Sequence, residues 1–217
     1  MKTKIPNQGI FVVYKPKGPT SNEVLRKIRK ITGIKKVGHA GTLDPLAKGI
    51  LVVGVGRDAT KKLFQEVKKE KEYIAQIKLG ATSATDDAEG EILRHKVLHR
   101  PTLAEVEKQL KKFKGKIQQV PPVFSAVKIK GREAYKLARQ GREVTLKARE
   151  VEIKEIEILK FRWPFLWLRV ITGPGVYIRA IARDIGKELG VNGYLANLER
   201  TRVGDFDKRG ETVKLDL

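Results

Sequence analysis

The segment Gly38-His39-Ala40-Gly41-Thr42-Leu43-Asp44-Pro45-Leu46-Ala47-Lys48-Gly49 places one carboxylate, Asp44, between glycines and flanks it with apolar stretches. A loop of that composition can turn sharply and present a single acid into a cleft, where the ionised form serves as nucleophile or base. Asp-Pro also opens ordinary turns, so the local pattern leaves both readings open. The chain has no cysteine, which removes disulfides, thiolate nucleophiles and Cys-built zinc or iron–sulfur sites. Chemistry must come from other groups.

The charge says what such a site would act on. Lys and Arg number 46 against 25 Asp and Glu, a formal net charge of +21 over 217 residues. That excess repels itself in a compact state unless a polyanion shares the surface, and nucleic acid is a better candidate than a membrane surface. The N-terminus has no apolar core suited to a signal peptide, and no run approaches the roughly 18 apolar residues of a membrane span. A cytoplasmic location is expected. Charged residues at 33%, with one Met, lean toward a high-temperature source.

The elements that must position Asp44 are legible in outline. Gly9–Tyr14 reads as a strand closed by Lys15-Pro16-Lys17-Gly18-Pro19, and Ser21 is the expected cap of a helix over Asn22–Thr32. Val37–Ala47 reads as loop, Ile50–Val55 as a buried strand, and Lys61–Val67 as a short helix capped by Asp58 or Thr60. Glu72–Leu79 alternates as a strand, Thr82–Gly90 is polar loop, and Thr102–Phe113 is a helix with a Thr102/Glu105 capping box. A short strand, a turn at Gly131 and a helix near Glu133–Gln140 follow. Val151–Leu159 and Leu166–Ile171 are strands, and Ile178–Leu189 is a helix ending near Gly190. Interleaved helices and largely antiparallel strands predict an α+β fold, with a mixed, largely antiparallel central sheet flanked by helices.

GHAGTLDPLAKGIL resembles the G-x-L-D-P-x-A-x-G signature of the TruB family of tRNA pseudouridine synthases. Lys71-Glu72-Tyr73 with Leu79-Gly80 and Thr85-Asp86-Asp87-Ala88-Glu89-Gly90 is similar to the family's second motif, and Val120–Lys128 (VPPVFSAVK) to its third. Gly175-Val176-Tyr177-Ile178-Arg179 is similar to the segment that supplies its active-site tyrosine and arginine. The order of all four motifs is kept.

The resemblance implies a pseudouridine synthase fold over residues 1–204, with a mobile basic thumb at about 120–150 and a short tail at 205–217 in place of a C-terminal PUA domain. It implies Asp44 as the catalytic carboxylate, paired with Arg179, since a neighbouring guanidinium favours the ionised acid. Tyr73 is expected to stack on the target base, with Tyr177 against the same pocket. His39 and Leu198 are expected as substrate contacts, together with the thumb cations Lys128, Lys130 and Arg132, beside Lys136, Arg139 and Arg142. The implied reaction turns uridine into pseudouridine in the T-loop of tRNA by base flipping, with no cofactor and no metal. The implied partner is the tRNA T-arm, acted on by a monomer without an obligate protein partner. Alternatives are a synthase for ribosomal or other RNA, and an RNA chaperone on the same fold.

Overall fold

The computed structural model describes residues 5–129, 131–208, 210, 212–213 and 215. In chain order its elements are β1 (Gly9–Lys15), α1 (Ser21–Thr32), β2 (Val37–His39), β3 (Ala47–Val55), α2 (Arg57–Lys68), β4 (Lys71–Leu79), β5 (Ala81–Ser83) and β6 (Ile92–Arg94). There follow α3 (Leu103–Leu110), extended by a 3-10 turn (Lys111–Phe113), β7 (Gly115–Gln119), β8 (Lys128–Ile129), β9 (Arg132–Glu133), α4 (Ala134–Arg139) and β10 (Arg149–Arg162). The chain then runs through β11 (Phe165–Thr172), α5 (Ile178–Glu188), β12 (Gly193–Val203), β13 (Phe206–Asp207) and β14 (Thr212–Val213). This is the expected α+β fold, with mixed but largely antiparallel strands. Two compact units divide it: the described residues of 1–74, 171–174 and 198–217 form unit 1, and those of 75–170 and 175–197 form unit 2.

In unit 1 the strand order is β14-β1-β3-β12. β1 and β3 run antiparallel in register from Gly9↔Val55 to Lys15↔Gly49, while β12 joins β3 in parallel through Leu198↔Ala47 and Arg200↔Gly49. β3 is buried on both faces, and its apolar run Ile50–Val53 is what an interior strand requires. One face packs Val13, Leu51, Val53 and Val55 against Val24, Leu25 and Ile28 of α1, which recur at helical spacing. The other packs Val12, Ile50 and Val52 with Ala40 and with Leu63 of α2. Gly54 makes that second contact possible: a Cβ there would stand 3.0 Å from the Leu63 side chain.

Sequence and structure part at the start of α1. The cap is Thr20, one residue before the expected Ser21: its hydroxyl accepts from Glu23 N at 3.1 Å, and the Glu23 carboxylate accepts from Thr20 N at 2.7 Å. This reciprocal pair satisfies two N-terminal donors and frees Ser21 for a tertiary contact. Helix α2 covers Arg57–Lys68 behind Gly56, with no side-chain cap from Asp58 or Thr60. Val37–His39, expected as loop, is a strand on β3, because backbone pairing to an interior strand outweighs the weak local pattern.

In unit 2, β7, β10 and β11 lie in consecutive order, and β10 pairs antiparallel with β7 from Arg149↔Gln119 to Ile153↔Gly115. β10 covers Arg149–Arg162, several residues beyond the alternating stretch, and its solvent-facing Glu155 and Glu157 meet Arg169. Helix α3 carries the predicted Thr102/Glu105 capping box. Ala81–Ser83, assigned in part to loop, pairs with β6. Helix α5 buries Ile178, Ile181 and Ile185, and at Gly186 it lies so close to Asn192 and Gly193 that any Cβ would collide with their backbone. Among the described residues no helix is long and apolar enough to cross a membrane.

Candidate active site

Asp44 lies in the irregular stretch between β2 and β3, half-buried, and its carbonyl accepts from Ala47 N at 3.0 Å. The preceding residue is held on both sides: Leu43 N donates to Ser21 Oγ at 2.8 Å, and Ser21 Oγ donates to the Leu43 carbonyl at 2.9 Å. The following residue is held too, since the Pro45 carbonyl accepts from Gly18 N at 2.9 Å. The Lys15 ammonium, fully buried, shapes the turn that carries Gly18 by donating to the carbonyls of Pro16 and Pro19 at 2.9 and 2.7 Å. The loop is therefore clamped on either side of the acid.

Unit 1 brings Tyr73 to this loop. Tyr73, on β4, is only 7% exposed, and burial raises its phenol pKa; Arg200 acts the other way by charge and by a side-chain hydrogen bond, while the charge of Asp44 adds to the rise. Arg200, on β12, is 1% exposed, and it donates through Nε to the Ile50 carbonyl at 2.8 Å and through a terminal nitrogen to the Gly41 carbonyl at 3.0 Å. Burial lowers its pKa, an effect that Tyr73 and Asp44 oppose. Leu198, two residues earlier and 8% exposed, pairs with Ala47 at the end of the loop.

His39 sits at the end of β2. Burial, helped by the charge of Arg200, takes its pKa down to about 4, so the ring is neutral at physiological pH, and its Nδ1 has no hydrogen-bond partner among the described residues. Burial and the same charge bring the Lys71 ammonium down to about 8, and its donors go to the carbonyls of Val67 and Lys69, both at 2.8 Å.

Unit 2 holds the remaining candidates. Tyr177 is the residue before α5; its backbone N–H donates to Gln119 Oε1 at 2.9 Å and its carbonyl accepts from Gln119 Nε2 at 3.2 Å. The Arg149 guanidinium lies 5.0 Å from the Tyr177 ring centroid. Arg179, 6% exposed, donates to the carbonyls of Thr85 and Phe124 at 3.0 and 2.9 Å and faces the buried Asp87 carboxylate at 3.5 Å. Asp87 is itself held by the Thr85 hydroxyl and by Glu89 N. Thr85 and Asp87 of the second motif thus seat this arginine.

The basic segment of unit 2 is a β8–β9 hairpin turning at Gly131 (φ +82°), followed by α4. Lys128, Arg132, Lys136, Arg139 and Arg142 are exposed, with Lys136 and Arg139 near the Tyr135 ring. Lys130 lies outside the described residues. The sequence pattern marks neither Arg200 nor Lys15 as a site residue, and marks Ser21 only as a helix cap. Arg200 carried a usable signal: it shares a strand face with Leu198 at a spacing of two, and a cation alternating with an inward leucine points inward as well.

Residues 29–178 match the family model described as TruB family pseudouridylate synthase, N-terminal domain. The chain is 46% identical over 206 residues to tRNA pseudouridine synthase B of Thermobifida fusca (strain YX), covering 91% of this chain and 70% of that protein. It is 44% identical over 199 residues to the protein of the same name from Protochlamydia amoebophila (strain UWE25), covering 92% and 75%. Among solved structures it is similar to a chain of a Cbf5-Nop10-Gar1 complex, with a TM-score of 0.73 and 31% identity over 96% of this chain. It spans about half, 53%, of that longer chain. The chain belongs to the TruB family of pseudouridylate synthases.

Proposed function

We propose that the protein isomerises uridine to pseudouridine in the T-loop of tRNA. The observation that carries the reading is the clamped Asp44 loop beside buried Tyr73 and Arg200, in a chain 46% identical to a tRNA pseudouridine synthase B. The reaction breaks the N-glycosidic bond, turns the uracil and rejoins it through carbon, so reactant and product are isomers. A single carboxylate suits that chemistry, as nucleophile or as base.

In this reading Asp44 is the catalytic carboxylate and Tyr73 the ring that meets the flipped base, with Leu198 lining the pocket and His39 contacting the RNA where the base leaves its stack. Tyr177 and Arg179 are assigned to the same reaction on the motif that carries them. Lys128, Lys130 and Arg132 of the thumb hold phosphates, which gives the +21 charge its partner. The thumb and the rest of residues 1–204 work as one catalytic domain. The enzyme acts in the cytoplasm as a monomer, without a metal, a cofactor or an obligate protein partner.

The test is incubation with an unmodified tRNA transcript and mapping of pseudouridine by carbodiimide primer extension, beside Asp44→Asn. Wild type should modify one T-loop uridine and the variant none while still binding the RNA. Equal modification by both would remove Asp44 from the chemistry. Modification of ribosomal transcripts in preference to tRNA would shift the substrate, and light scattering of the pure protein would check the monomer.

A further inference from the structure

Three separate stretches of unit 1 meet on one buried side chain. Arg200 reaches the Gly41 carbonyl in the loop before Asp44, the Ile50 carbonyl on β3 after it, and the Tyr73 side chain on β4. A buried guanidinium contributes little to stability: taking the charge out of water costs several kcal/mol, and apolar residues of similar volume generally serve a core as well or better. What it offers is a rigid fork of five N–H donors, able to bind several acceptors at fixed relative positions.

The backbone has been arranged around this fork. Gly49 stands opposite Arg200 in the parallel β3–β12 ladder with φ +117°, and any Cβ there would collide with the Arg200 main chain. Gly41 has φ +92°, and a Cβ there would lie 3.3 Å from a terminal nitrogen of Arg200 and 3.4 Å from the Lys71 side chain. Two of the glycines that bracket Asp44 in the sequence are therefore the places where the chain makes room for the arginine. Their role is close approach as much as flexibility.

We infer that Arg200 is the positioning residue of the catalytic loop, fixing the Gly41 and Ile50 carbonyls and the Tyr73 side chain relative to one another and so setting the spacing between Asp44 and the Tyr73 ring. It acts through those groups and does not touch the RNA. The inference rests on the reading of Asp44 and Tyr73 as the reacting pair.

Arg200→Lys keeps the charge and most of the volume but loses the fork, which makes it the informative variant. Single-turnover pseudouridine formation, tRNA affinity and thermal unfolding are measured for wild type, R200K, Y73F and the double variant. R200K should lose on the order of a hundredfold in rate, as misplacement of a reacting group does, while the dissociation constant stays within about twofold. In the Y73F background the same change should cost clearly less, because one of the groups that Arg200 orients is already gone. Additive losses, or a rate that falls only with the folded fraction, would leave Arg200 as a structural residue and overturn the inference. A second readout needs no activity: the ¹³Cζ resonance of Tyr73, assigned with Y73F, should move in R200K. An unmoved resonance also overturns the inference. If that resonance moves but wild type makes no pseudouridine, the proposed reaction fails and the positioning role stands.

Discussion

The Ser21 hydroxyl both accepts from the Leu43 amide and donates to the Leu43 carbonyl, at 2.8 and 2.9 Å, so the first turn of α1 holds the residue that precedes Asp44. Ser21 is 2% exposed and Leu43 3%, which leaves little water to replace either bond. Ser21→Ala would strand both backbone groups at a cost of about 1–3 kcal/mol each. We expect a lower urea midpoint, and a single-turnover rate that falls more than the loss of folded protein explains. A variant that is less stable but fully active when folded would show that the clamp serves the fold alone.

Gly49→Ala should be far more damaging than its size suggests. The new methyl meets the Arg200 backbone, and the residue would have to hold φ +117°. Strain and overlap together imply about 3 kcal/mol or more. Solubility on expression and the thermal midpoint report it directly, and a variant with wild-type stability would refute the close approach of β12 to β3.

Acid should expose the burial of His39. Its folded pKa is about 4 against an ordinary 6.5, so between those values the unfolded chain holds a proton that the folded chain does not. Stability from this group is complete above pH 6.5 and is lost as pH falls toward 4. At about 1.36 kcal/mol per unit the loss has a ceiling of about 3 kcal/mol, reduced by the partial exposure of the ring. His39→Gln should flatten the fall in unfolding free energy between pH 6.5 and 4.5, and an unchanged slope would contradict a neutral buried ring.

Salt should weaken RNA binding steeply. Lys128 and Arg132 are exposed on the β8–β9 hairpin, so reversing both to Glu should leave the fold intact while lowering affinity for tRNA. The slope of log affinity against log salt should shrink by roughly 0.7–0.9 per lost phosphate contact. An unchanged slope would take the hairpin out of the interface.

Much of the fold is readable because its signals are local. The apolar spacing of α1, the continuous apolar run of β3 and the capping box of α3 each follow from near neighbours in sequence. The cap of α1 lies one residue before the expected one: the local Thr20–Glu23 capping box selects Thr20, and Ser21 turns instead to Leu43. β7 and β12 went unassigned because their polar composition hides strands whose order comes from distant partners. Asp44, Tyr73, Tyr177 and Arg179 come from motif resemblance, whereas Arg200 lies outside the motifs and its sequence signal is only its spacing of two from Leu198, which burial bears out.

The Gln119 side chain stands to the Tyr177 backbone as one peptide group stands to another, giving and receiving a hydrogen bond across the gap. The entry to α5 is thereby indexed to the end of β7 as firmly as a neighbouring strand would be. A one-residue insertion or deletion between Gly175 and Ile178 would throw the helix out of step with that index. Family members should vary freely in the loop lengths around β7 yet keep the count across this junction, and a homologue lacking the amide should change both sides together.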